Sequence, residues 1–107
     1  MAEHTVIQGD DFPYDFDSDG IDSFLSGWIG RWSIVDKIGS GGVSVASGTL
    51  APSGDGAKME LRIKPSTTEA VEVGAYTLVV ELANSSLNFK REVMQDKIII
   101  IKQGIVG

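Results

Sequence analysis

The sequence predicts an all-β fold, a sandwich or barrel of about six to eight short antiparallel strands, and three observations carry that expectation. Apolar residues recur at every second position in one segment after another. Clusters rich in Gly, Asp, Asn and Ser ("SDG", "GSGG", "SGDG", "NSSLN") separate those segments at short spacing, as tight connections require. No stretch sustains the 3.6-residue period of an amphipathic helix. At 107 residues the chain has the length of one domain, so residues 1–107 are read as a single unit around one core.

The elements follow in order. "FPYDFD" sets Phe12, Tyr14 and Phe16 on one face against Pro13, Asp15 and Asp17. "WIGRWSIVDKI" puts Trp28, Trp32 and Ile34 in phase, with Arg31, Ser33 and Lys37 opposite. "VSVASGTLA" is a weaker strand, interrupted by Gly48. Asp55-Gly56 predicts a tight turn into "AKMELRIK", because Gly tolerates the positive φ such turns need. There Ala57, Met59, Leu61 and Ile63 oppose Lys58, Glu60, Arg62 and Lys64, the pattern of a strand with one wet face. The segment 66–72 admits one short helical turn, capped by Ser66 or Thr67 with Glu69 in reach. "AYTLVVELA" then places Tyr76, Leu78, Val80 and Leu82 on one side. The last strand, "DKIIIIKQGIVG", carries four isoleucines in a row, fenced by Lys97 and Lys102.

That run fills both faces of its strand, yet a two-layer sandwich covers only one. The surplus residues, Ile99 and Ile101, are candidate interface residues toward another subunit; burial under a loop of the same chain is the other reading. The lysines on either side resemble gatekeepers against edge pairing.

Composition excludes several classes of function. There is no cysteine, which removes disulfide frameworks, thiolate metal sites and thiol catalysis. A formal net charge of −6, from 15 acids and 9 bases, repels polyanions, so no nucleic-acid partner is expected. The longest aliphatic run has four residues against the roughly 20 that span a bilayer, so no membrane partner is expected either. The opening "MAEHTVIQGDD" lacks the basic start and apolar run of a signal peptide, and the expected location is a cytosol or a particle assembled in one.

Chemistry-bearing residues are few. "DFDSDG" begins like a calcium loop, with Asp15, Asp17 and Asp19 as candidate metal ligands before Gly20. Its continuation breaks the EF-hand pattern: the twelfth position is Ser26 where a bidentate Glu belongs, and the eighth is Asp22. A strand end and turn is the preferred reading, with a simpler calcium-binding loop as the alternative. The single histidine, His4, reads as a solvated residue near the chain start. Gly39-Ser40-Gly41-Gly42 lacks the Lys-Ser/Thr of a phosphate loop and reads as a hairpin tip. Trp28 and Trp32 read as sandwich core, with stacking on sugar rings as the alternative. No acid–base constellation is visible, so neither an enzyme nor a cofactor is expected.

Two stretches together carry a resemblance. "VIQGDDFPYDFDSDGIDSFLSGW" has the form Gln-Gly-Asp, alternating strand, Asp-Gly turn and short Ser-Gly element. Further on, "TTEAVEVGAYTLVVELA" gives a Thr-containing segment, then Gly-x-Tyr and an alternating strand. In this the chain resembles the small immunoglobulin-like modules of bacteriophage tail and baseplate structural proteins, including N-terminal domains of baseplate adaptors. The resemblance spans nearly the whole chain and implies an immunoglobulin-like antiparallel β-sandwich. It also implies a non-enzymatic structural or assembly role in a phage or prophage virion, with other virion proteins and further copies of the chain as partners. The implied localisation is the host cytoplasm during assembly and then the virion. Gly74-Ala75-Tyr76 fits the corner at which a tyrosine hydroxyl bonds back to upstream backbone. The alternative function, resting on the two tryptophans and the acidic cluster, is a carbohydrate-binding or calcium-dependent ligand-binding module.

Overall fold

The computed structural model describes residues 3–17, 24, 27–36 and 44–102. They form strands β1 (Glu3–Ile7), β2 (Phe12–Asp17), β3 (Ile29–Val35), β4 (Ser44–Pro52) and β5 (Lys58–Ile63). A helical turn α1 (Pro65–Ala70), strand β6 (Gly74–Asn84), a 3-10 turn at Ser85–Leu87 and strand β7 (Phe89–Ile101) complete the fold. It is all-β, as the alternation predicts. Asp19 and the glycine cluster from Gly39 to Gly42 lie outside the described residues.

All seven strands join in one sheet, ordered β1-β7-β6-β3-β4-β5-β2. β4 links its two parts, pairing with β3 along Ser44–Leu50 and with β5 only at Ala51 and Pro52. The sheet curls over on itself. The first strand in the order touches the last, with the His4 ring of β1 at 5.2 Å from Phe12 and 6.0 Å from Tyr14 of β2. Two layers therefore face each other across one core. Met59, Leu61 and Ile63 of β5 supply one side, and Trp32, Ile34, Leu78, Val80, Ile98 and Ile100 the other. All but Ile98 and Ile100, which belong to a run that fills both faces, are marked as inward by their period-two phase, and burying each contributes on the order of 1.5–3 kcal/mol.

One pair departs from the antiparallel pattern. β1 runs parallel to β7, from Glu3↔Lys97 to Ile7↔Ile101. A parallel neighbour needs a long crossover, and here nearly the whole domain intervenes between the two strands.

The helical turn begins one residue earlier than expected and ends at Ala70. Pro65 occupies its first turn, where a missing N–H is harmless. Neither Ser66 nor Thr67 caps it; the N-cap is Lys64, without a side-chain hydrogen bond. The buried threonine next along, Thr68, does the tying instead. Its hydroxyl donates to the Asp10 carbonyl at 2.6 Å and accepts from the Gly9 N–H at 3.1 Å, which fixes the β1–β2 connection to the helix.

The tyrosine corner is present. Tyr76 Oη donates to the Glu72 carbonyl at 2.7 Å, closing the turn between α1 and β6. Burial, and then the nearby Glu72 and Asp36 charges, push its phenol above the ordinary range. A group whose folded-state pKa is raised stabilises the fold fully below its unfolded value and loses that contribution as pH rises through the folded one. Removing the hydroxyl with Tyr76→Phe is expected to cost about 1 kcal/mol in urea unfolding at pH 7. The gap between the two proteins should shrink above about pH 10. A pH-independent gap would show that the corner bond is not its source.

Thr77 is buried, and its hydroxyl finds no hydrogen-bond partner among the described residues. Thr77→Val keeps the shape and removes the stranded polar group. It is expected to raise stability by about 1 kcal/mol, read as a shift in the urea midpoint with unchanged slope. A loss of stability would show that the hydroxyl is satisfied.

Candidate functional site

β2 carries Asp15 and Asp17, both exposed. Asp15 Oδ1 lies 2.8 Å from Arg62 Nη1 on the neighbouring β5, and the same guanidinium reaches Glu60 at 3.4 Å. Arg62 also donates to the Tyr14 and Leu61 carbonyls, so it fastens β2 to β5. Asp17 stands opposite Lys58 in the ladder. Asp15 is thus half of an ion pair rather than a free ligand. Among the described residues, no group of three or more His, Cys, Asp or Glu side chains comes together to hold a metal ion.

The turn at Asp55-Gly56 forms as expected, with Gly56 at φ +74°. Asp55 accepts from the Ala57 N–H at 3.0 Å and from the Ser53 hydroxyl at 2.7 Å. Those bonds, the backbone one first, hold its carboxyl below the ordinary carboxylate range. This local stabilisation is present at neutral pH and lost only as pH falls through that lowered value. The Asp-Gly pair here is turn chemistry.

Both tryptophans are accounted for by packing. Trp32 is buried in the core, its indole lying against Gly48 of β4. Trp28 is half-buried and stacks edge-on between Phe24 and Phe89, with ring centroids 5.7 and 5.2 Å away. Arg91 sits over the Phe89 ring at 5.4 Å and closes that end of the core. Trp32 is therefore closed to a sugar ring, and Trp28 offers only the part of its ring that Phe24 and Phe89 leave uncovered.

His4 is not a solvated terminal residue. It lies in β1, with Nε2 2.9 Å from Asp96 Oδ2 and its ring against Phe12 and Tyr14 where the two layers meet. Tyr14 in turn leans on Phe16 at 5.0 Å. The signal was the alternation in "HTVI", which sets His4 and Val6 on one face; both turn inward, beside Ile98 and Ile100. A His–carboxylate pair is half of a nucleophile-activating constellation. The ring contacts around this one are aromatic edges, which suit it to joining layers.

What remains is a surface. Five strands, β1-β7-β6-β3-β4, turn one face outward. Ile99 and Ile101 both lie on it, Ile99 half-buried between Thr5 and Ala75, Ile101 38% exposed beside Ile7. Ile98 and Ile100 of the same run are fully buried in the core. The described part of the chain does not cover the outward pair completely. The isoleucine run marks these two in the sequence, whereas nothing local marks the residues that extend the face across the neighbouring strands: Val35, Val45, Val79 and, at 53% exposure, Ile29.

Among the described residues, no helix is long and apolar enough to cross a membrane. A scan of the chain against protein-family models matches none, and a search of curated proteins finds no significant match.

Proposed function

We propose that this chain is a non-enzymatic structural or assembly protein of a phage or prophage virion, a tail, baseplate or head–tail component acting through protein–protein contacts. The observation that carries the protein-contact part is the outward face of the five-strand layer. Exposed apolar side chains gather there, whereas an isolated monomer's outward sheet face is ordinarily polar. The virion part rests on the resemblance to phage tail and baseplate modules; the Tyr76–Glu72 bond agrees with the sandwich architecture which that resemblance implies. The partners of this reading are other virion proteins and further copies of the chain, met in the host cytoplasm during assembly. Nucleic acid is disfavoured by the net charge of −6. The ligand-binding alternative loses support, because Trp32 is core and Asp15 is paired with Arg62.

The test is co-expression with the products of the neighbouring genes, followed by gradient fractionation of assembled particles. Co-sedimentation of this chain with a tail or baseplate fraction in fixed proportion is expected. A chain that stays at the top of the gradient, free of every neighbouring product, would refute the reading.

A further inference from the structure

We propose that the outward face of β1-β7-β6-β3-β4 seats a second copy of this chain, laid face to face about a two-fold axis running between β3 and β6. This names the surface and the partner that the assembly reading leaves open, and it deepens that reading. Three observations point to a copy of the same chain.

The first is charge. The outward-facing charged residues of these strands are Glu3, Glu81 and Glu92 against Arg31, Lys90 and Lys97. The face is neutral, so the whole formal charge of −6 lies elsewhere on the chain. Two acidic copies repel through most of their surfaces, but not through this one.

The second is self-complementarity. Arg31 and Glu81 are direct cross-strand partners on β3 and β6. A two-fold axis between those strands lays β3 over the second copy's β6, and hence each Arg31 over the other copy's Glu81. An isologous interface requires such an arrangement, because each patch must meet itself. The same operation sets Val79 of one copy over Ser33 of the other, since these two are also paired across β3 and β6. Small side chains at Ser33, Ser47 and Thr49 leave a trough of about 430 Å³ there, which an opposing side chain can enter.

The third is size. The axis lays β7, β6, β3 and β4 of each copy over β4, β3, β6 and β7 of the other and leaves β1 beyond the overlap. Four strands about 4.8 Å apart, over some seven to ten residues at roughly 3.3 Å each, give on the order of 450–600 Å² per copy. That is roughly 900–1,200 Å² in all, the size of a weak, reversible contact, so the titration has to reach millimolar concentration. Sheets stacked this way keep their strands within about 30° of each other, so no strand has to bend.

The experiment is light scattering coupled to size-exclusion chromatography on the full chain, from micromolar to about millimolar concentration. Wild type is expected to pass from monomer to dimer. R31E puts acid over acid and E81R base over base, so each alone is expected to weaken dimerisation at least tenfold with tryptophan emission unchanged. Each also sets like charges opposite within its own sheet, so melting is expected to fall by a few degrees, and dimerisation is read well below it. Mixing the two variants in equal amounts restores both opposite-charge contacts and is expected to restore the dimer. Wild type monomeric throughout, single variants that dimerise like wild type, or a mixture that stays monomeric would each overturn the proposal. A monomer that nonetheless co-sediments with particles would overturn the pair and leave the assembly reading intact. A dimer obeying the charge swap but absent from particles would do the reverse.

Discussion

Ile98→Ala is expected to lower stability by about 3–4 kcal/mol, whereas Ile99→Thr, one residue along, costs under about 1 kcal/mol. The two side chains belong to the same isoleucine run and differ in the face they occupy. Ile98 has no exposed surface and lies between His4 of β1 and Tyr76 of β6. Cutting it back leaves a cavity that the surrounding ladder cannot collapse to fill. Ile99 faces outward between Thr5 and Ala75, and a threonine there keeps the β-branch while adding a hydroxyl that water can reach. A domain of this size has about 5–15 kcal/mol in total, so Ile98→Val, at about 1 kcal/mol, provides a milder variant if the alanine does not fold. Urea unfolding at micromolar protein reads both. Equal losses at the two positions would mean that the run is not sorted into an inner and an outer face.

The second large effect is expected at Gly48. A Cβ built there would lie 2.6 Å from Nε1 of Trp32 and 2.8 Å from Cε2 and Cζ2. Those are atoms of a rigid ring that is itself buried, so neither partner can step aside cheaply. Gly48→Ala is expected to cost about 2–3 kcal/mol and to shift tryptophan emission to the red as the indole is pushed outward. Gly54→Ala is the control: nothing lies within 4 Å of its Cβ, and the change is expected to be neutral within about 0.5 kcal/mol. If Gly48→Ala proves as mild as the control, the indole has room that the packing does not show.

What was legible in the sequence was the inward face of each long strand. In β5 and β6 the alternation of Met59, Leu61, Ile63 and of Leu78, Val80, Leu82 records a core that every second residue touches. Tyr76 was legible too, because its bond is local, to a carbonyl four residues back. Features that depend on a distant partner were not. β1 is short and lies at the sheet edge, and His4 takes its meaning from Asp96, at the far end of the chain. Asp15 looked like a ligand until Arg62 appeared beside it, since an acidic string does not disclose what stands across the ladder. The outward face was visible only at Ile99 and Ile101. Ile29, Val35, Val45 and Val79 are spread over three strands, and only the pairing of those strands gathers them.

The parallel seating of β1 beside β7 has a mechanical consequence. Tension applied at Glu3 and at Ile101 would drag the two strands past each other along their length, because both run in the same direction. The five paired positions from Glu3↔Lys97 to Ile7↔Ile101 would then be loaded together in shear, instead of opening one by one as a peeled hairpin does. The flanking contacts of His4 with Asp96 and of Glu3 with Lys97 would take the strain in the same stroke. A rupture that must break all of these at once has a high barrier, and forced unfolding is governed by that barrier. The domain is therefore built to hold under pulling along the β1–β7 seam.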